Sequence, residues 1–162
     1  MANKEKRIKN LISIDSDTVT VFDVAKYIVE LTGPISPMKL QLYVYYSQAW
    51  YYTTFRKKLF PEAIEAWRIG PFCRELHEFY RDRANLTAED MIGDSDKIPV
   101  KGRAVISTVI LKYGDKGTTW LAASVQSESP WSEARAKFYT DPEHDIRISV
   151  KSMRDYYKDK HL

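Results

Sequence analysis

Cys73 and His77 are the pair whose residue types and spacing come nearest to covalent or metal chemistry. Four residues apart in a segment that reads as helix from Phe72 to about Arg83, they share one face. A thiol and an imidazole on one turn are half of a zinc site, or the start of a nucleophile–base pair. Neither is completed. Zinc normally takes three or four ligands, no second pair is visible, and His144 and His161 are scattered. Carboxylates at Glu75/Glu78 and Asp155/Asp159 fit solvated helix faces. Paired-acid catalysis needs two acids converging on one pocket, which spacing alone does not establish. The GxxxxGK[ST] cradle and the GxGxxG, HExxH and GxSxG patterns do not occur. The reading therefore names no catalytic residue, no metal ligand and no cofactor, and expects a protein that is not an enzyme.

The densest feature is aromatic, the segment from Tyr43 to Phe55. Ser36 can cap a helix with Pro37 at its first position, and the pattern predicts a helix from Pro37 to about Arg56. At 100° per residue, Leu40, Val44, Ser47, Tyr51 and Phe55 line one face as the core stripe. Tyr43, Tyr46 and Trp50 flank it, while Tyr45, Ala49 and Tyr52 point nearly the opposite way. A surface helix would be polar on its far side. This one is either buried centrally or partly a binding surface, and Tyr43, Tyr45, Tyr46, Trp50 and Tyr52 are the candidate partner contacts. Trp50, Trp67, Trp120 and Trp131 are read first as core, with interface contact as the alternative.

Other elements must position these residues. Thr20 and Asp23 have capping-box-like spacing ahead of a helix that Gly33-Pro34 stops. Ala63 to Trp67 reads as a short extended segment, with Gly70-Pro71 as its breaker. Asn85 to Lys101 is irregular, with room for a short hairpin or a loop excursion. Arg103 to Tyr113 reads as a helix ended by Gly114, with a strand left open by its β-branched content. Helices follow from Thr118 or Thr119 to about Ser127, from Ser129-Pro130 to Phe138, and from Ser149 to Lys158. Asp141-Pro142 marks a loop, and Ile146 to Ile148 can be extended. The expected fold is mainly α: one compact domain of five to seven helices with a small β element. The expected boundaries are an extension over 1–20, the helical domain over 21–158 and a tail over 159–162.

Composition narrows the class. The chain of 162 residues is 44% hydrophobic, enough for a packed core, and its formal net charge is only +3. Lys4, Lys6, Arg7 and Lys9 cluster near the start, and the chain end explains them more simply than a nucleic-acid arm. No apolar run approaches a membrane span and no signal-peptide pattern opens the chain. One cysteine permits no intramolecular disulfide. A cytoplasmic protein without a membrane or nucleic-acid partner is expected.

The motif string resembles a known family. Val21 to Ile28, Met38-Lys39-Leu40-Gln41 and Tyr45-Tyr46-Ser47-Gln48-Ala49-Trp50 are similar to the opening of the Panacea domain. These are the SocA-like antitoxins, met also as GepA-like phage-associated proteins. The similarity continues through Leu59-Phe60, Ile64-Glu65-Ala66-Trp67, Gly70-Pro71, Leu76 and Tyr80. It ends with Tyr113-Gly114, the SESPW stretch from Ser127 to Trp131, and Glu133-Ala134-Arg135, so that it spans about Val21 to Tyr157. Tyr43 departs from the pattern, where a smaller or basic residue is expected, and residues 1–20 precede the usual start.

The resemblance implies an antitoxin that neutralises a cognate toxin by direct contact, or an adaptor that delivers the toxin to a protease. It also implies a prophage or other mobile-element setting. Lys39, Gln41, Gln48, Glu65, Trp67, Gly70, Pro71 and Trp131 are then motif residues with structural roles. A phage-encoded nucleic-acid-binding protein or an enzyme of another kind is the alternative, on the basic start and the Cys73/His77 pair.

Overall fold

The structure, a computed structural model, describes residues 17–140 and 146–162. The basic cluster at Lys4–Lys9 and the Asp141-Pro142 loop lie outside them. Seven α-helices and one two-stranded antiparallel sheet make up the described residues.

Helix α1 (Val21–Thr32) starts on the capping box that its sequence encodes. Asp23 N–H donates to the Thr20 hydroxyl and Thr20 N–H donates to Asp23 at 2.8 Å. Gly33, at φ 73°, closes the helix. Helix α2 (Pro37–Phe55) is capped by Ser36, whose hydroxyl accepts from Lys39 N–H at 3.2 Å, with Pro37 in the first turn. Every residue of α2 from Leu40 to Tyr51 is buried. A helix apolar all round belongs in the middle of a fold, and α2 is the axis of this one. It packs on α1, on β2 (Gly70–Phe72), and on helices α3 (Arg74–Tyr80), α4 (Val100–Tyr113), α5 (Thr118–Ser127) and α7 (Val150–Tyr157). Helix α6 (Ser129–Thr140) lies outside this ring, against α5, α7 and β1 (Glu65–Trp67).

Gly70-Pro71 was expected to break the chain, and it instead forms strand β2. The pairs are Glu65 with Phe72, Ala66 with Pro71 and Trp67 with Gly70. Proline cannot donate to a ladder, so its place is an edge strand. The other side of β1 is taken by the extended segment around Arg147: Ala66 N–H donates to Ile146 at 2.8 Å, and Ile148 N–H to Ile64 at 2.7 Å. That pairing makes β2 the edge.

The helix expected over Phe72–Arg83 is shorter, α3, because Phe72 belongs to the sheet. Helix α4 starts at Val100, three residues early, and is helical despite its β-branched residues because Val105, Ile106 and Val109 face the core. Between α3 and α4 the chain makes 3-10 turns at Ala88–Asp90 and Ser95–Lys97. Leu86 joins Ile35 there by two backbone hydrogen bonds. No helix among the described residues is long and apolar enough to cross a membrane.

Candidate functional site

Cys73 lies at the N-cap of α3, 1% exposed, and its thiol donates to Glu75 at 3.1 Å. Burial and the neighbouring carboxylates push the thiol pKa well up, so the thiolate that nucleophilic chemistry requires is suppressed. His77 spends its ring on packing, edge-on to Trp67 and Phe72. Asp155 pairs with Lys151 at 2.6 Å on the surface. No group of three or more His, Cys, Asp and Glu among the described residues is placed to hold a metal ion.

The two motif glutamines act on the backbone. Gln41 accepts from Cys73 N–H at 2.9 Å and donates to Cys73 C=O at 3.0 Å. Gln48 accepts from Leu59 N–H at 2.7 Å and donates to Phe60 C=O at 2.8 Å. Each carboxamide offers one donor and one acceptor, and each satisfies a stretch of buried backbone that has left regular structure. Lys39 lies over the Tyr43 ring.

Behind the other face of α2 is a buried tyrosine–carboxylate cluster. Glu128, only 9% exposed, accepts from the Tyr46 hydroxyl at 3.2 Å and from the Tyr157 hydroxyl. Tyr45 meets Tyr157 at 3.4 Å, Trp50 donates to the Tyr113 hydroxyl at 3.3 Å, and Tyr46 stacks on Tyr113. Desolvation raises the pKa of Glu128 and of Tyr45, Tyr46 and Tyr157. This is the chemistry of a satisfied interior, joining α2, α5 and α7.

The aromatic candidates for partner contact are accordingly interior. Tyr43, Tyr45, Tyr46 and Trp50 are at most 3% exposed, and only Tyr52 keeps partial exposure. The helices and strand β2 packed around α2 leave those four rings almost no exposed surface in this fold.

The β-hairpin presents the surface that α2 does not. Trp67 stacks on Phe72 at 5.0 Å, its indole N–H donates to Glu65 at 2.8 Å, and Arg74 lies over it while pairing with Glu65 at 2.8 Å. Trp131 donates to Trp67 C=O at 2.9 Å, Arg135 to Ala66 C=O at 3.1 Å, and Gln126 to Ile69 C=O at 3.0 Å. The hairpin is thereby fixed to α5 and α6. At its tip Ile69 is 56% exposed and Arg68 is exposed. Beside them Tyr139, 69% exposed, accepts from Arg135 at 2.9 Å, with the guanidinium 4.7 Å from the ring centre.

Gly70, at φ 155°, turns this tip, and a Cβ there would come within 3.1 Å of Met38. Trp67, Gly70, Pro71 and Trp131 are thus brought together, while Gln41 and Gln48 serve the interior. Sequence reasoning singled out neither Arg68, Ile69 and Tyr139 nor the acids Glu62, half-buried, and Glu128, buried. Only the SESPW stretch carried a signal for one of them, Glu128.

A separate groove of about 510 Å³ runs between α6, α7 and the 58–64 segment, with Lys58, Glu62, Lys137 and Arg147 among its lining. Glu62 accepts from Val21 N–H, the first of α1, at 3.0 Å. Burial, with Glu75 and Asp23 nearby, pushes its pKa from 4.5 up to about 7. No family model matches the chain, and no match to it was found among curated proteins or solved structures.

Proposed function

We propose that the protein is a non-enzymatic protein-binding module, an antitoxin that neutralises a cognate toxin by direct contact. Cytoplasmic action and a prophage or mobile-element setting belong to the same reading, as does delivery of the bound toxin to a protease. The observation that carries it is the division of labour among the side chains. The residues best suited to chemistry are committed to the interior: Cys73 is held as a thiol, Glu128 is enclosed by tyrosines, and Gln41 and Gln48 clamp backbone. Exposed aliphatic, aromatic and arginine side chains gather at the hairpin tip and the end of α6, the composition of protein contact surfaces. The resemblance of the motif string to Panacea-domain antitoxins supports the narrower reading.

Co-expression with the product of the adjacent gene tests it. That product is expected to arrest growth alone and to be tolerated beside this protein. A neighbour that is harmless alone, or that stays toxic beside this protein, defeats the antitoxin reading for the pair.

A further inference from the structure

The hairpin tip carries a specific chemical bias. Arg74 is neutralised by Glu65, whereas Arg68 has no ion-pair partner among the described residues. Arg135 spends one guanidinium nitrogen on Ala66 C=O and another on the Tyr139 oxygen. Because the Tyr139 oxygen accepts that bond, its own proton is left to donate outward. The hydroxyl is acidified by Arg135, with Arg68 contributing, which strengthens it as a donor. Ile69, next to Arg68 in the chain, adds an exposed aliphatic surface at the tip.

Other exposed apolar residues lack this company. Val100 and Leu111 sit near opposite ends of α4, about 16 Å apart at helical rise. Trp120, read from sequence as core but 52% exposed, has only Lys116 over its ring, itself paired with Asp115.

We propose that the hairpin tip and the end of α6 form a docking site for an acidic segment of the partner protein, one with a carboxylate next to an aliphatic or aromatic side chain. The carboxylate is received by the Arg68 guanidinium and the Tyr139 hydroxyl, and the apolar neighbour by Ile69. Charge complementarity selects this occupant: two donors for an anion, with no carboxylate among the described residues paired to Arg68, lie beside an aliphatic contact that a phosphate backbone would leave unused. The site deepens the protein-binding reading and rests on it. Its supporting bonds to Ala66, Trp67 and Ile69 hold the backbone in place before a partner arrives, which lowers the ordering cost of binding.

Two measurements test the site. In the first, a short fluorescein-labelled peptide alternating glutamate and leucine is titrated with the full chain by anisotropy. Arg68→Glu is expected to weaken binding about tenfold or more, the size of a lost hydrogen bond to a charged group. Tyr139→Phe is expected to weaken it less. Lys57→Glu makes the same charge change near the far end of α2 and is expected to leave binding unchanged. Circular dichroism confirms that the exposed-site variants fold. A peptide that does not bind, or that binds Arg68→Glu and wild type equally, overturns the site. Preferential binding of a labelled oligodeoxythymidylate, lost in Arg68→Glu, overturns it in favour of nucleic acid.

In the second, Arg68→Glu replaces wild type in the co-expression assay. Rescue by wild type and not by the variant supports the site. Rescue by both overturns the site and leaves the antitoxin reading standing. Rescue by neither removes the antitoxin reading, and the peptide titration still decides the site.

Discussion

Gln41 holds Cys73 by both of its backbone groups, in a place with no water to replace either bond. Gln41→Ala is expected to cost about 1–3 kcal/mol, because it leaves the buried Cys73 N–H unpaired while Cys73 C=O keeps its bond from His77 N–H at 3.1 Å. A urea denaturation midpoint measures it.

Glu62 gives a pH signature. Its folded pKa, about 7, lies above the ordinary 4.5, so between those values the native state binds more protons than the unfolded chain. The contribution of Glu62 to stability therefore falls as pH rises from about 4.5 to about 7 and is flat above. Glu128, raised in the same direction, adds a decline of the same sign. Glu62→Gln is expected to flatten the thermal midpoint across pH 5 to 8 relative to wild type, since its amide oxygen still accepts from Val21. An unchanged slope would contradict the assignment.

The glutamines were visible in the sequence as polar residues in an aromatic helix, singled out through the motif string. The acids were not. Their environments are set by partners 41 and 82 residues away, Val21 for Glu62 and Tyr46 for Glu128.

Elements were legible where their signals are local. The Thr20/Asp23 box and the Ser36-Pro37 start place α1 and α2 as expected, whereas the aromatic crowding of α2 left a central helix and a partial binding surface both open, and the burial from Leu40 to Tyr51 decides for the first. The hairpin was half legible. Proline and glycine ordinarily punctuate, and only the pairing of residues 146–148 on the far side of β1 turns Gly70-Pro71 into an edge strand. The strand alternative for α4 fell to packing: its β-branched side chains meet α2 with helical periodicity.

A close backbone approach also lies beyond sequence reading. Gly93, at φ 104°, sits so near the first turn of α1 that a Cβ would stand 2.8 Å from the Phe22 carbonyl carbon and oxygen. Its neighbour Asp94 donates its N–H to Asp23 at 2.7 Å. Gly93→Ala is expected to cost about 3 kcal/mol, combining unfavourable φ with a clash against backbone that cannot rotate away. The same denaturation series reads it, with loss of less than half that cost contradicting the contact.

At the scale of the molecule, α2 is an axle that reaches six other elements, and its tyrosines knit α5 and α7 onto it through Glu128. Such a centre can be kept while surface loops and hairpin tips vary, which suits a scaffold that presents one contact surface. The fold class and central helix were legible because burial pattern and caps are written along the chain. The proposed contact surface was not, because the hairpin tip and the end of α6 meet only when the hairpin is pinned to α6.

The central claim is neutralisation by contact rather than by catalysis. Size-exclusion chromatography with light scattering, run on this protein mixed with the adjacent gene's product, tests it most directly. The account predicts one peak whose mass is the sum of both chains in a fixed ratio, lost with Arg68→Glu. Two separate peaks, together with growth rescue at substoichiometric amounts of this protein, would contradict it.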